Sequence, residues 1–308
     1  MMFLGLKKGD IIDVVAPSCG NFDVSRDQVI EFIKSLGYTA RIPENFQEKE
    51  VDLFSANTQE IRAKHLIDAL QSKDSKAIWM FRGGYGATKL IPELDKYDFS
   101  SNPKVLIGFS DITSLGLYFE VKYGWKFIHG TIRYAKNQRS TQEEFNLMKN
   151  FLAGEWDKVE YKFDSLNAKA KEEISIKGEI TGGNLALIQC SLGTNWQINA
   201  NNKILFIEDT GERGYRIDRM LEHLKQAGVF NNIRALIFGD ITCAPEPNGE
   251  FLCDAAISRF IAREMKDVPV FSSKMFGHGR INYPLIFNLE VQIAMGKNPS
   301  LVFQNIVD

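Results

Sequence analysis

No stretch of this chain approaches the ~20 consecutive apolar residues that a bilayer-spanning helix needs, so no such span is expected. The opening MMFLGLKKGD breaks its apolar run too early for a secretory leader, which makes the cytoplasm the expected compartment. Cysteine is sparse. Cys19, Cys190, Cys243 and Cys253 are scattered without a CxxC pair, which argues against a disulfide framework or a zinc site and predicts core or incidental thiols. Neither sign of charge dominates: 37 basic against 39 acidic residues give a net charge of −2, so neither nucleic acid nor a membrane surface is an expected partner. Internal repeats and low-complexity tracts are absent. Only four histidines are available to serve as a general base.

What is present suits an α/β enzyme. The 308 residues, 44% apolar and 25% charged, are enough for two domains. In the first half strands alternate with helices, which predicts a parallel sheet covered on both faces. The strands are DIIDVV, KAIWMF, KVLIGF and WKFIHG, and the helices include SRDQVIEFIKSLGY and TQEIRAKHLIDALQS. The second helix is expected to bury Ile61, Leu66, Ile67 and Leu70. Residues 151–177 lose this rhythm and read as a crossing between domains, at 1–165 and 172–308. Beyond it, GEITGGN reads as a turn-rich entry to a helix, followed by the strands KILFIED, RALIFGD and VPVF and the helices RIDRMLEHLKQ and DAAISRFIAREMK.

Candidate chemistry gathers at the carboxyl ends of strands, where open α/β sheets hold ligands. Ser110 follows KVLIGF at a strand-to-helix corner. That position suits an exposed nucleophile, and equally an ordinary N-cap serine. A serine nucleophile needs a base and an acid to orient it. His65 and His223 lie in helices and suit packing or surface roles. His129, in FIHGT, and His278, between two glycines in FGHGR, are candidate bases. Glu208 follows KILFI at a strand end, with Asp209 its rival and Arg213 or Arg216 as possible ion partners. The order Ser110, Glu208, His278 is that of α/β-hydrolases, but GFSDI lacks their G-x-S-x-G elbow, which points to another fold. The loop FRGGYGA brings Gly83, Gly84 and Gly86, whose backbones allow close approach to a substrate oxygen or make a tight turn. It matches neither the P-loop nor G-x-G-x-x-G.

These pieces, in order along the chain, resemble the LD-carboxypeptidases of serine-peptidase family S66. The resemblance rests on LKKGDIIDVVAPS, RGGYGATKLIPELD, NPKVLIGFSDITSL, HGT, TGGNLALIQCSLGT, LFIEDTGERGYRIDRML and GHG. It implies Ser110 as nucleophile, Glu208 as acid and His278 as base, with oxyanion donors at Gly83 or Gly84 and the amide of Asp111. It implies a Rossmann-like N-terminal domain, related to class I glutamine amidotransferases, and a C-terminal β/α domain. A homodimer, no metal and no cofactor are also implied. The implied substrate is a murein-derived tetrapeptide from which terminal D-alanine is released. Arg82, Arg213 and Arg216 are candidates to bind the terminal carboxylate. The alternatives are a microcin C immunity-like peptidase that cleaves an aminoacyl-nucleotide amide, and a non-catalytic binding protein. RGGYG is closer to the carboxypeptidase branch. Two departures stand out: HGT at 129–131 where the family commonly has HGP, and the individual stretch GDITCAPEPNGEF.

Overall fold

The computed structural model describes residues 5–49, 51–130, 140–156 and 158–304; Thr131 of the HGT motif lies outside them. The chain divides into two compact units, residues 1–155 with 284–286, and residues 156–283 with 287–308. The first unit ends ahead of position 165 because the strands Lys158–Lys162 and Asp164–Ser165 belong to the second unit's sheet.

The first unit is built on β1 (Ile11–Val15), β2 (Thr39–Arg41), β3 (Ser75–Met80), β4 (Val105–Gly108) and β5 (Phe127–His129), with a sixth strand, β12 (Leu285–Phe287), from far down the chain. The sheet order is β12-β5-β4-β3-β1-β2, and β5, β4, β3, β1 and β2 run parallel. Central strands are close to continuous apolar runs, VLIG throughout and IIDVV apart from the buried Asp13, as burial within a parallel sheet favours. Helix α1 (Arg26–Ser35) starts at a Ser25–Gln28 capping box, and α2 (Gln59–Gln71) at a Thr58 cap. α2 buries Leu66 and Leu70 as expected, but its inward face also carries Arg62 and His65, while Ile61 and Ile67 are only half-buried. The stripe is rotated because Arg62 finds backbone carbonyls to bond inside the fold, so its charge does not force it outward. After the short α3 (Ile91–Leu94), α4 (Thr113–Tyr123) leaves the β4 corner and is buried from Thr113 through Glu120. Trp79, Tyr118, Phe119 and Phe127 are the large side chains of this core. α5 (Gln142–Ala153) closes the unit's main run.

The second unit holds β6 (Lys158–Lys162), β7 (Asp164–Ser165), β8 (Ser175–Asn184), β9 (Ile204–Glu212), β10 (Ala235–Cys243), β11 (Val270–Gly277), β13 (Glu290–Ala294) and β14 (Ser300–Gln304). Their order is β6-β14-β13-β8-β9-β10-β11-β7. The four central strands β8 to β11 are parallel, flanked by antiparallel pairings on both sides. Two expectations change here. GEITGGN is the end of a ten-residue strand, not a turn, and leads into α6 (Leu185–Ser191). Gly182 is needed because β9 passes close: a Cβ there would lie 1.9 Å from the Phe206 carbonyl oxygen. β11 also runs beyond VPVF to Gly277, so His278 comes directly off a strand end. α7 (Gly214–Gln226) and α8 (Cys253–Glu264) pack beside each other.

The cysteine expectation is corrected in part. Cys243, at the end of β10, and Cys253, at the start of α8, form a disulfide, with Cys19 and Cys190 free. The fold brings together two residues whose spacing carries no pairing signal.

Candidate active site

Ser110 sits where β4 ends and the chain turns into a 3₁₀ turn (Ser110–Ile112) that runs on into α4. Its φ is +63°, a left-handed value that costs a non-glycine residue roughly 1–2 kcal/mol. Neither helical start has a side-chain cap, so the N-cap role for Ser110 is not the one it fills. Gly108, two residues earlier, leaves room for the turn, since a Cβ there would meet Ile112 at 2.7 Å.

The glycine loop lies against this corner. A Cβ on Gly83 would come within 2.8 Å of the Ser110 Cβ and 3.2 Å of its Oγ. Gly84 takes φ +112° beside Cys19, whose sulfur would be 2.4 Å from an added Cβ. The Asp111 carboxylate is buried and accepts from Ser18 Oγ at 2.5 Å and from the Ala87 amide at 2.8 Å.

In the second unit, Glu208 is fully buried on β9, and the His278 ring nitrogen Nδ1 bonds its Oε2 at 2.5 Å. A short bond from a ring N–H to a buried carboxylate is charge-assisted. The contact puts a proton on Nδ1, which in the neutral imidazole leaves the lone pair on Nε2. Two glycines make space for the acid, and a third makes space for its neighbour Asp240. A Cβ on Gly239 or Gly277 would stand 3.0 Å from the Glu208 Cβ, and one on Gly279 would strike the Asp240 carboxylate at 2.4 Å. Asn282, buried, accepts from the Gly277 amide at 3.0 Å and so braces the turn that carries His278.

Asp209 occupies the other face of β9, as strand alternation requires. It accepts from Asn184 Nδ2 at 2.9 Å and from the amides of Thr210 and Ala186 at 2.7 and 3.0 Å. Burial, and next the charge of Glu208, pushes its carboxyl up to about 6. The structure thus separates the two rivals: Glu208 holds the imidazole and Asp209 anchors the start of α6.

The other histidines are placed differently. His129 ends β5 fully buried, its ring edge-on to Phe109 and Phe127. His65 bonds Asn45, and burial lowers its pKa. His223 meets Gln189 on an exposed helix surface. Among the arginines, Arg82 bonds the Gly20 carbonyl and Arg216, in the first turn of α7, pairs with Glu212 at the end of β9, while Arg213 is exposed at the N-cap of α7. A cavity of about 700 Å³ in the second unit is lined by Asp240, Lys274, Met275, Phe251 and the disulfide cysteines. The individual stretch GDITCAPEPNGEF therefore shapes its wall. Among the described residues no cluster of His, Cys, Asp or Glu could hold a metal ion, and no helix is long and apolar enough to cross a membrane.

Sequence reasoning missed Ser18, Arg62 and Asn282 as supports of these groups. Asn184 was within reach, since an asparagine directly before LALIQC is an N-cap signature, and its side chain accepts from Leu187. Ser18 and Arg62 act through contacts distant in sequence, and the Asn282 bond to Gly277 depends on how the chain turns after β11.

Two α/β units, one carrying a serine on a strained corner and the other a buried Glu–His pair, define the class, and comparison with known proteins agrees. The sequence model of the LD-carboxypeptidase N-terminal domain matches residues 12–130, and that of the C-terminal domain matches residues 177–293. A Rickettsia conorii protein named "putative carboxypeptidase" is 35% identical over 94% of this chain and 90% of its own length. The solved muramoyltetrapeptide carboxypeptidase of Oxalobacter formigenes is 25% identical, with a TM-score of 0.79 over 95% of this chain and 98% of its own. An MccF-like protein of Bacillus anthracis shares the fold at 24% identity, with a TM-score of 0.83 over 99% of each chain. The chain belongs to the LD-carboxypeptidase family, peptidase family S66.

Proposed function

We propose that this peptidase is a serine-type LD-carboxypeptidase that releases terminal D-alanine from a murein tetrapeptide. The observation that carries the reading is the 2.5 Å bond between His278 and the fully buried Glu208. Nothing in a surface ion pair calls for a carboxylate with no exposure, whereas a general base needs its tautomer held. In this reading His278 Nε2 takes the proton of Ser110 as Oγ attacks the carbonyl, and Glu208 stabilises the imidazolium. The tetrahedral oxyanion is met by the amide of Gly83 or Gly84 and that of Asp111, each worth roughly 2.7–4 kcal/mol. His278 then protonates the leaving amine, and water releases the acyl-enzyme. The name of the Oxalobacter relative supports the murein substrate. A cytoplasmic, homodimeric enzyme of peptidoglycan recycling completes the proposal. Arg213, exposed at the end of the Glu208 strand, is the candidate cation for the terminal carboxylate.

The test is release of D-alanine from murein tetrapeptide, compared with its L-alanine epimer, its C-terminal amide and an aminoacyl sulfamoyl adenosine. Inversion at the leaving residue swings its carboxylate away from the cation, so the epimer and the amide should be poor substrates. Equal turnover of all three peptides would reject the carboxypeptidase reading. Preference for the adenosine amide would favour an immunity-type peptidase.

A further inference from the structure

Beneath the Ser110 corner lies a buried charged network that the proposed reaction leaves unused. Asp111, 3% exposed, gives one carboxylate oxygen to both the Ser18 hydroxyl and the Ala87 amide. Arg62, 2% exposed on α2, donates Nε to the Asn57 carbonyl at 3.0 Å. Its Nη1 donates to the carbonyls of Pro17 and Gly86, the latter at 3.1 Å. The Cys19 amide adds a bond to the Gly83 carbonyl at 3.2 Å. Segments 17–19 and 83–87 are therefore each gripped twice, once by the carboxylate next to Ser110 and once by the guanidinium.

Burying a guanidinium and a carboxylate is costly, and apolar side chains of similar volume would often serve stability as well. Burial lowers the Arg62 pKa, opposed by the charges of Asp52 and Asp111. What apolar packing could not supply is direction. Each of these bonds fixes a backbone group of one loop relative to the other. The tolerance at the corner is small, because Gly83 already lies where a single added carbon would touch Ser110.

We propose that the side chains of Asp111 and Arg62, with Ser18, are positioning residues that hold the glycine loop in register with Ser110. This rests on reading Ser110 as the nucleophile. The clamp sets the distance from the attacking oxygen to the oxyanion donors, a relation that counts fully only when charge develops on the substrate oxygen. Its loss should therefore fall on kcat and leave KM nearly unchanged. A misplacement of about 1 Å costs on the order of 100-fold.

The experiment compares Asp111→Asn, Arg62→Gln and Ser18→Ala with wild type and Ser110→Ala in the full chain. D-alanine release gives kcat and KM, a peptide boronic acid mimics the tetrahedral state, and circular dichroism monitors folding. Asp111→Asn should lose roughly 100-fold in kcat and Ser18→Ala roughly 10-fold, with KM within twofold. Affinity for the boronic acid should fall in step with kcat. A merely structural role would lower melting temperature without moving the ratio of boronate affinity to KM. Should Asp111→Asn or Arg62→Gln fail to fold, Ser18→Ala decides. If Ser110→Ala keeps wild-type turnover, the nucleophile reading fails and this inference with it. If Ser110→Ala is inactive but folded Ser18→Ala and Asp111→Asn keep kcat within twofold, the clamp alone is overturned.

Discussion

Glu208 and Asp209 are neighbours on one strand with opposite assignments, and substitution should separate them. Glu208→Gln keeps the shape but cannot stabilise an imidazolium, so kcat should drop by about 10³–10⁴ with the fold retained. Asp209→Asn should lose far less activity, because its bonds go to Asn184, Ala186 and Thr210. A reversed ranking in steady-state assays would exchange the two roles. Asp209 also gives a pH signature. Its carboxyl is raised to about 6 in the fold, chiefly by burial, against about 4 in an unfolded chain. The folded state binds this proton more tightly, so the group stabilises below pH 4 and loses that contribution as pH rises through 6. The wild type minus Asp209→Asn difference in unfolding free energy should thus fall by about 1–3 kcal/mol between pH 4 and pH 7. Urea titrations at the two pH values measure it, and a flat difference would show that Asp209 titrates normally.

At the level of elements, β8 and β9 make the most exacting contact in the second unit. Gly182→Ala would drive a Cβ into the Phe206 carbonyl at 1.9 Å, whereas Gly211→Ala meets nothing within 4 Å and carries only the strain of φ +75°. The first should cost more than about 3 kcal/mol of stability and the second about 1–2, read from denaturant midpoints. Comparable losses would mean that the ladder relaxes around an added methyl. The same strand shows where the sequence could be read and where it could not. The apolar runs of β1, β3 and β4 announce parallel strands, because burial on both faces leaves no alternation to misread. TGG resembles a turn because glycine is the usual mark of one; only the proximity of β9 explains it within a ladder. Glu208 could be named from its strand end and His278 from its flanking glycines and the family motif, but Arg62 could not, since it acts on backbone groups of other segments, nor Asn282, whose bond to Gly277 depends on the turn between them. The Cys243–Cys253 pairing was equally hidden, because it depends on where β10 ends and α8 begins.

For the molecule as a whole, the strand Leu285–Phe287 ties the C-terminal part of the chain to the first unit's sheet. Ile286→Ala, at a fully buried position, should cost about 2–5 kcal/mol. Hydrogen exchange should show lost protection in β5 and β4 before β8 to β11. Loss confined to the second unit would contradict this pairing. The strand also imposes an order on synthesis. Until it emerges from the ribosome, β5 is the outermost strand on its side, with one row of amides and carbonyls unpaired. Translation at about 5–20 residues per second takes roughly 6–26 s to cover residues 156–284. During that interval the nascent first unit has an edge open to pairing with another chain, and slower translation lengthens that exposure.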